Sequence, residues 1–304
     1  MVLSLNTPRL VALTVLVAAV ALLVPLVAGG CGSETPAPEP QAEPVVKKVD
    51  HVTIMCADPA ALFNTFTQTL GLPAAWPLSS YPGFTTGGTY AGNVNIETLR
   101  FGEPGDASGG APDFTFIYGI VFESYPLDQV MDEFQQRCAY PGEPTDQMRE
   151  MNGQQVKVWT NVTLNALCTD DYIVYLCEYT EQMEQALAER AQASPVPLGG
   201  IGLVGVKEIT VLGTQSDQTL DLWETVFAPV TATDDGALAF GSGPAVIITD
   251  GDMDVIAGLT LEVENLQVAE DFLAVNGMLG EVGDEEISID PAAVQGLDIR
   301  LVEK

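Results

Sequence analysis

The sequence predicts an α+β fold in which four βαβββ modules pair into two domains. The first observation is a repeat: residues 49–73 (VDHVTIMCADPAALFNTFTQTLGLP) and residues 206–229 (VKEITVLGTQSDQTLDLWETVFAP) each read as strand, polar junction, amphipathic helix and closing proline. The second is that residues 114–138 and 256–277 repeat the order of strand and helix. The third is that short β-rich runs follow the helices. Together they predict strand, helix and about three strands, four times over.

The helix of the first module has clear start and stop signals. Asp58 is placed to cap its N-terminus, Pro59 suits the first helical position, and Gly71 suits the C-terminal end. Apolar residues recur at helical spacing and predict one buried stripe, formed by Leu62, Phe63, Phe66 and Leu70. The other three helices carry similar stripes, which we interpret as core packing.

Composition shifts divide the chain into five segments. Residues 1–30 are predicted to be a signal peptide, and residues 31–46, rich in Pro, Glu and Ala, a tether. Residues 47–180 and 202–304 are the two predicted domains. Residues 181–201 are predicted to be a short helix followed by a Pro/Gly linker between them.

The N-terminus predicts export and anchoring. Arg9 precedes an apolar run over residues 10–27, followed by small residues, which is typical of a secretory signal. Ala28-Gly29-Gly30-Cys31 resembles a bacterial lipobox, which implies cleavage before Cys31 and lipidation of that cysteine. An uncleaved membrane anchor is the alternative. Both predict an extracytoplasmic protein held at the bacterial cell membrane, by a lipid in the first case.

The charge restricts the partners. The 42 acidic and 11 basic residues give a formal net charge of −31. A surface this negative repels phosphate backbones, so nucleic acid is not an expected partner. It suits a cationic small molecule or a well-solvated surface.

Cysteine usage leaves the disulfides open. With Cys31 lipidated, an even number remains, which permits disulfides outside the cytoplasm in three pairings. The set comprises Cys56, Cys138, Cys168 and Cys177. A turn between the last two does not favour pairing them by register, and buried free thiols are the alternative.

Three motifs resemble one known family. VDHVTI in the first strand, LGLP at the end of the helix, and GGTYAGNVNIETLRFG (residues 87–102) as a hairpin ending in a carboxylate strand resemble the vicinal oxygen chelate superfamily. Glyoxalase I, extradiol dioxygenases and bleomycin-resistance proteins are members. The resemblance covers most of the first domain and implies half-barrels, each made from two modules.

The same resemblance implies a metal site in the first domain. His51, the only histidine, and Glu97 fall at ligand positions of the first module, and either Glu178 or Tyr175 from the second module faces the cleft. We expect His51, Glu97 and Glu178 to hold Zn²⁺, Mn²⁺ or Ni²⁺, with Glu97 and Glu178 as the catalytic carboxylates. One histidine cannot supply the two-histidine site of iron oxygenases, which argues against extradiol ring cleavage.

Strand alternation predicts which residues share the cleft. Thr53 and Met55 should face it with His51, while Val52, Ile54 and Cys56 pack under the helices. Four aromatic residues around the Gly-rich hairpin are candidates to stack on a planar or cationic ligand, and the alternative is that they cap an exposed end of the sheet: Trp76, Tyr81, Phe84 and Tyr90. The expected function is small-molecule binding in this cleft. The alternatives are a metal-dependent lyase or isomerase resembling glyoxalase I, and a structural or interaction protein with vestigial clefts.

Overall fold

A computed structural model of the chain describes residues 42–102, 114–137, 139–151, 153–194 and 196–304. The predicted signal peptide and residues 31–41 of the tether, including Cys31, lie outside the described residues. The chain from Gln41 to Lys304 forms one compact unit.

Strands and helices follow the predicted module order. The first module contains β1 (Val46–Met55), α1 (Pro59–Asn64), β2 (Ala74–Tyr81), β3 (Phe84–Tyr90) and β4 (Asn95–Phe101). The second contains β5 (Phe116–Ser124), α2 (Leu127–Gln136), β6 (Thr145–Met151), β7 (Gln154–Thr163) and β8 (Ile173–Tyr179). A linking helix, α3 (Glu181–Gln192), follows. We call these elements the first half.

The second half repeats this order. Its first module contains β9 (Leu203–Gly213), α4 (Ser216–Phe227), β10 (Ala237–Leu238) and β11 (Ala245–Asp250). This module is the shortest of the four, because only two strands follow its helix and β10 is two residues long. The last module contains β12 (Val255–Val263), α5 (Leu266–Val275), β13 (Leu279–Val282), β14 (Glu286–Ile289) and β15 (Asp298–Glu303). The α+β class and the repeated modules are confirmed.

All the described strands belong to one branched sheet. In the first half the order is β2-β3-β4-β1-β5-β8-β7-β6, with β1 and β5 antiparallel at the centre and each parallel to the last strand of its own module. The second half repeats this with β9 and β12 at the centre. The pair Ile117–Ile256 joins β5 to β12 and makes the sheet continuous. The predicted boundary at residues 181–201 stays a prediction.

The central strand pairs of both halves share the same irregularities. The β1–β5 register shifts between Val49 and His51, so that Asp50 is an extra residue in β1. The β9–β12 register shifts in the same way between Val206 and Glu208, which leaves Lys207 as the extra residue. Two further shifts, one on each side, also recur in both pairs. These β-bulges bend the strands and re-aim side chains at the same places in each half.

The first helix begins and turns as its sequence predicts. The Asp58 side chain accepts a hydrogen bond from Ala61 N at 3.0 Å, Pro59 occupies the first turn, and Gly71 has a positive φ of 75°. A π-helical turn, Thr65–Thr69, extends the helix. The π-turn keeps Leu62, Phe66 and Leu70 buried on one side, while Phe63 is only half-buried. This stripe packs against the outer face of the sheet.

The two halves share one hydrophobic core on that outer face. Val52, Ile54 and Cys56 are fully buried in it, as predicted from strand alternation. Across the halves, Phe122 of β5 packs against Phe227 of α4, with ring centroids 4.7 Å apart. Trp223 and Phe240 complete this aromatic cluster. Side chains of this size each contribute about 1.5–3 kcal/mol when fully buried.

Among the described residues, none of the helices has both the length and the apolar character of a membrane-spanning segment.

Candidate functional site

The inner face of the first half is organised by the bulge in β1. His51 faces inward opposite Val121 of β5, and the extra residue, Asp50, breaks the alternation that would otherwise turn it outward. Its carboxylate therefore reaches the imidazole of its own neighbour, and Asp50 Oδ2 lies 2.6 Å from His51 Nδ1. The bulge thus places an acid and a base, adjacent in sequence, side by side in the same buried site.

Two tyrosines of β8 complete the surroundings of this pair. Tyr179 Oη donates to Asp50 Oδ2 at 2.8 Å, and Tyr175 Oη lies 3.2 Å from His51 Nε2. The side chains of Asp50 and His51 are only 4% and 11% exposed. Nδ1 carries a proton, because it faces a carboxylate. Nε2, on the other side of the ring, faces Tyr175 and Glu97.

Glu97 is held beside the ring by two threonines. Its Oε2 lies 3.6 Å from His51 Nε2 and accepts a hydrogen bond from Thr53 Oγ1 at 3.0 Å. Its Oε1 accepts from Thr86 Oγ1 at 2.6 Å. The predicted pairing of His51 with Glu97 on one face, and the inward position of Thr53, both hold in this geometry. Met55 is also buried, outside the core cluster that contains Val52 and Ile54.

Protonation is strongly biased in this group. Burial disfavours the imidazolium, but the hydrogen bond with Asp50 and the charges of Asp50 and Glu97 outweigh it and raise the pKa of His51. Burial likewise disfavours the Asp50 carboxylate, yet His51 and Tyr179 lower its pKa overall. Burial, reinforced by nearby carboxylates, raises the pKa of Tyr175 and Tyr179 well above the ordinary tyrosine range. These shifts favour the protonated ring of His51 and the ionised form of Asp50, beside two phenols that keep their protons.

Trp76 covers the imidazole from the neighbouring hairpin. Its ring meets the His51 ring edge-on, with centroids 6.2 Å apart. Gly88 makes this possible, because a Cβ at that position would come within 2.3 Å of the indole. The Tyr175 ring meets His51 from another side at 6.0 Å. The predicted contact residue Trp76 thus lies at the site.

Glu178 does not join the site, which corrects the expectation for the third ligand. On β8 the inward residues include Tyr175 and Tyr179, and Glu178, three positions from Tyr175, lies on the opposite face. There its Oε1 accepts from the backbone N–H of Leu127 at 2.9 Å and caps α2. Glu303 of β15 caps α5 through Leu266 N at the same distance. The carboxylate therefore has a structural role that both halves share.

Two of the four predicted aromatic contacts are also elsewhere. Tyr81 and Phe84 stack on each other with ring centroids 5.0 Å apart, at the tip of the β2–β3 hairpin. This pairing closes the hairpin and leaves both rings away from His51. Tyr90 is half-buried, and its hydroxyl donates to the carbonyl of Gly92.

A cavity of about 540 Å³ opens beside Asp50 and Tyr179. It lies between the inner face of the first half, helix α3 and a loop of the second half that contributes Ser242. This volume falls within the range of small-molecule sites. Its polar lining includes Lys47, Lys48, Asp50, Tyr90, Asn95 and Tyr179. Asp50 thus connects the cavity to the buried imidazole of His51.

The donor atoms at His51 do not fit a resident metal. The 3.6 Å between His51 Nε2 and Glu97 Oε2 suits one ion, since ligand distances of about 2.0–2.2 Å allow up to roughly 4 Å. A catalytic zinc site, however, takes three protein ligands. Within the described ranges, no three His, Cys, Asp or Glu side chains come together as a possible metal site. Tyr175, the remaining neighbour, is a phenol whose pKa is raised.

The cysteines of the described chain are free thiols. Cys56, Cys168 and Cys177 form no disulfide. Burial raises the pKa of the Cys56 thiol to about 12, so it packs as a small apolar residue. Cys138 lies outside the described residues, so its part in the expected pairings stays untested.

The second half has the same frame with different chemistry. The register places Lys207, Glu208 and Ile247 where the first half has Asp50, His51 and Glu97. Lys207 Nζ lies 3.6 Å from Glu208 Oε1, so the acid–base order is reversed, and Lys207 is 49% exposed. The second half has no counterpart of the buried imidazole, because His51 is the single histidine of the sequence.

Sequence reasoning missed Asp50, Tyr179 and Thr86. For Asp50 the available signal was an acid directly preceding the single histidine, which strand alternation assigns to the opposite face. Tyr179 lies four residues after Tyr175, so period two places both on one face once either is known to point inward. Thr86 could be found only through its pairing with β4.

Comparison with known proteins identifies the fold. No sequence-family model matches the chain, and no curated protein matches it. Among solved structures, a hypothetical protein from Staphylococcus aureus is 13% identical and covers 84% of this chain and 99% of its own, with a TM-score of 0.58. The Mn(II)-bound glyoxalase from Novosphingobium aromaticivorans is 10% identical, with coverages of 86% and 83% and a TM-score of 0.54. Homoprotocatechuate 2,3-dioxygenase from Arthrobacter globiformis is 12% identical, with coverages of 88% and 82% and a TM-score of 0.54. The chain therefore has the α+β fold of vicinal oxygen chelate proteins.

Proposed function

We propose that the chain binds a small molecule in the cavity beside Asp50 and Tyr179, without a resident metal. The observation that carries the proposal is that this 540 Å³ cavity lies directly against the hydrogen-bonded group of Asp50, His51 and Tyr179. Fixed buried charges of this kind are expensive to desolvate and recur at functional sites. A purely structural role would not require a cavity at that point.

Asp50 is the contact point on the protein side. Its Oδ2 is shared by His51 and Tyr179, while Oδ1 receives no hydrogen bond from a described residue. A ligand N–H or O–H group therefore has an acceptor in the cavity wall. Tyr90 and Asn95 offer further polar atoms, and Ala75 and Val94 offer apolar surface. This mixture suits a small polar molecule with an apolar part.

A metal-dependent lyase or isomerase is the rival, favoured by the 3.6 Å spacing of His51 Nε2 and Glu97 Oε2. It lacks its third ligand, because Glu178 caps α2. We therefore expect Mn²⁺, Zn²⁺ and Ni²⁺ to leave the melting temperature of the soluble protein unchanged. A rise that disappears in both His51→Gln and Glu97→Gln would support the metal-dependent alternative instead.

Binding is tested with a fragment set observed by saturation-transfer NMR. Ala188 of α3 lines the cavity and is exposed, so Ala188→Trp should fill the space without disturbing the core. Ala186, exposed on the same helix but not in the cavity lining, provides the matched control Ala186→Trp. Fragments should bind the wild type and the control but not Ala188→Trp. Equal binding to all three proteins, or to none, would refute the proposal.

We also propose that Cys31 is lipidated and tethers the protein to the membrane from outside the cytoplasm. The support is the Ala28-Gly29-Gly30-Cys31 stretch behind an apolar run. Cys31→Ser should release the protein from membranes or leave its signal uncut. Mass spectrometry showing an unmodified N-terminus elsewhere in the mature protein would refute it.

A further inference from the structure

The cavity beside Asp50 has an unusual charge for this chain. Three basic residues line it: Lys47, Lys48 and Arg190. The whole sequence has only 11 basic residues, compared with 42 acidic residues. The net charge of −31 favours cations at long range, but fields between exposed charges are screened beyond about 8–10 Å in physiological salt. Recognition inside the cavity is therefore decided by these three bases, the acids paired with them and Asp50.

The two acids that pair with these lysines come from different elements of the fold. Glu123 of β5 contacts Lys47 at 3.0 Å and Lys48 at 3.6 Å, and its side chain is only 16% exposed. Glu184 reaches Lys47 Nζ from helix α3 at 2.6 Å and is 41% exposed. Glu123 is thus part of the sheet wall, whereas Glu184 is delivered by the element that covers the cavity.

Helix α3 is held loosely. None of its side chains is buried, although Leu187 and Ala191 line the cavity and are half-buried. The hydrogen bond from Lys47 to Glu184 is its one side-chain ion pair to the sheet among the described residues. Segments with few buried apolar contacts open at low free-energy cost. The carboxylate of Glu184 is therefore a replaceable partner for Lys47.

We propose that the cavity takes a small molecule bearing a carboxylate group, and that Glu184 occupies the place of that group on Lys47 when the ligand is absent. The proposal rests on the proposed binding function and names its ligand class. The ligand carboxylate replaces Glu184 at Lys47 Nζ, and its apolar part lies against Leu187 and Val94. Helix α3 is released from Lys47 in the exchange. Arg190, which makes no ion pair with a described residue, supplies a second cation.

The exchange predicts opposite effects for the two partners of the ion pair. In Glu184→Gln the internal competitor loses its charge, so the affinity for benzoate should rise about tenfold, the change that 1.4 kcal/mol produces. In Lys47→Gln benzoate binding should fall by at least as much. Benzamide, the neutral analogue, should bind the wild type and both variants alike. Glu189→Gln is the matched control, because Glu189 is exposed on the same helix but absent from the cavity lining.

Titration calorimetry with benzoate and benzamide measures these affinities on the soluble protein. Hydrogen exchange gives a second readout, since α3 amides should exchange faster in ligand-free Glu184→Gln than in the ligand-free wild type. If benzoate and benzamide bind equally, or if Glu184→Gln leaves the affinity for benzoate unchanged, the carboxylate assignment is wrong. In that case the binding function is still supported if Ala188→Trp blocks fragment binding. If no fragment binds at all, the binding function fails and takes the assignment with it.

Discussion

Asp50→Asn should lower the pKa of His51 and destabilise the protein. The substitution keeps the size of the side chain and removes the charge that lies 2.6 Å from His51 Nδ1. Glu97, at 3.6 Å from Nε2, would be the one remaining carboxylate next to the ring within the described chain. Because burial disfavours the charged ring, the imidazolium should lose its proton at a lower pH in the variant.

The expected loss of stability is large. Two unit charges about 4 Å apart attract by about 4 kcal/mol at an effective dielectric constant of about 20. Screening by water is weak here, since the two side chains are 4% and 11% exposed. Removing one partner of a buried ion pair typically costs about 3–5 kcal/mol. We therefore expect Asp50→Asn to lower the free energy of unfolding by about 3–5 kcal/mol near pH 6.

The difference between wild type and variant should depend on pH. The pKa of His51 is raised in the folded state, so its contribution is complete below the ordinary histidine value of 6.5 and is lost as pH rises through the folded-state value. The pKa of Asp50 is lowered, so its contribution is present above the ordinary value of 3.8 and is lost as pH falls through the folded-state value. The difference should be largest between these two ordinary values and should shrink above pH 6.5.

The single histidine makes the assay unambiguous. The imidazole ¹⁵N and ¹³C shifts of labelled protein report His51 alone, and urea unfolding at several pH values gives the free energies. Asp171→Asn, at an exposed aspartate outside the site, is the control and should change neither. The reasoning is refuted if wild-type His51 titrates at or below 6.5, or if Asp50→Asn leaves its titration in place.

Two further substitutions test structural assignments. Glu178→Ala should cost about 0.5–2 kcal/mol, because it removes the cap on Leu127 N, and should leave the His51 titration unchanged; a shifted His51 titration would return Glu178 to the site. Arg137→Met should lower the free energy of unfolding, measured in urea, by about 3 kcal/mol. The reason is that the guanidinium, only 8% exposed, donates to the carbonyls of Val226 at 3.0 Å and Glu43 at 2.5 Å. A decrease below about 0.5 kcal/mol would show that water replaces these hydrogen bonds.

The sequence predicted the architecture well because its helices and strands are marked by local signals. Asp58 and Pro59 start α1 where expected, and apolar periodicity located the other helices. His51 and Glu97 were placed together by the resemblance to the vicinal oxygen chelate superfamily, which puts ligands on the first and last strands of one module.

The rest depended on register, which the sequence does not reveal. Tyr175 and Glu178 lie on opposite faces of β8, and choosing between them required knowing which residue pairs with Val121. Strict alternation from His51 turns Asp50 outward, and the bulge, which shifts the alternation by one residue, brings it to the inner face instead. Glu178 attracted attention as a carboxylate in the expected strand, yet its partner, Leu127 N, is 51 residues away in the chain.

The bulges that recur in both halves give this chain an internal reference for its own site. The second half keeps the backbone irregularities of the first, but Lys207, Glu208 and Ile247 fill the key positions. The bulge therefore does not depend on an acid–histidine pair, and the constellation of the first half is an addition to a frame that folds without it. Changing those three residues to Asp, His and Glu would ask whether strand register alone recreates a raised histidine pKa, with the native site in the same molecule as its standard.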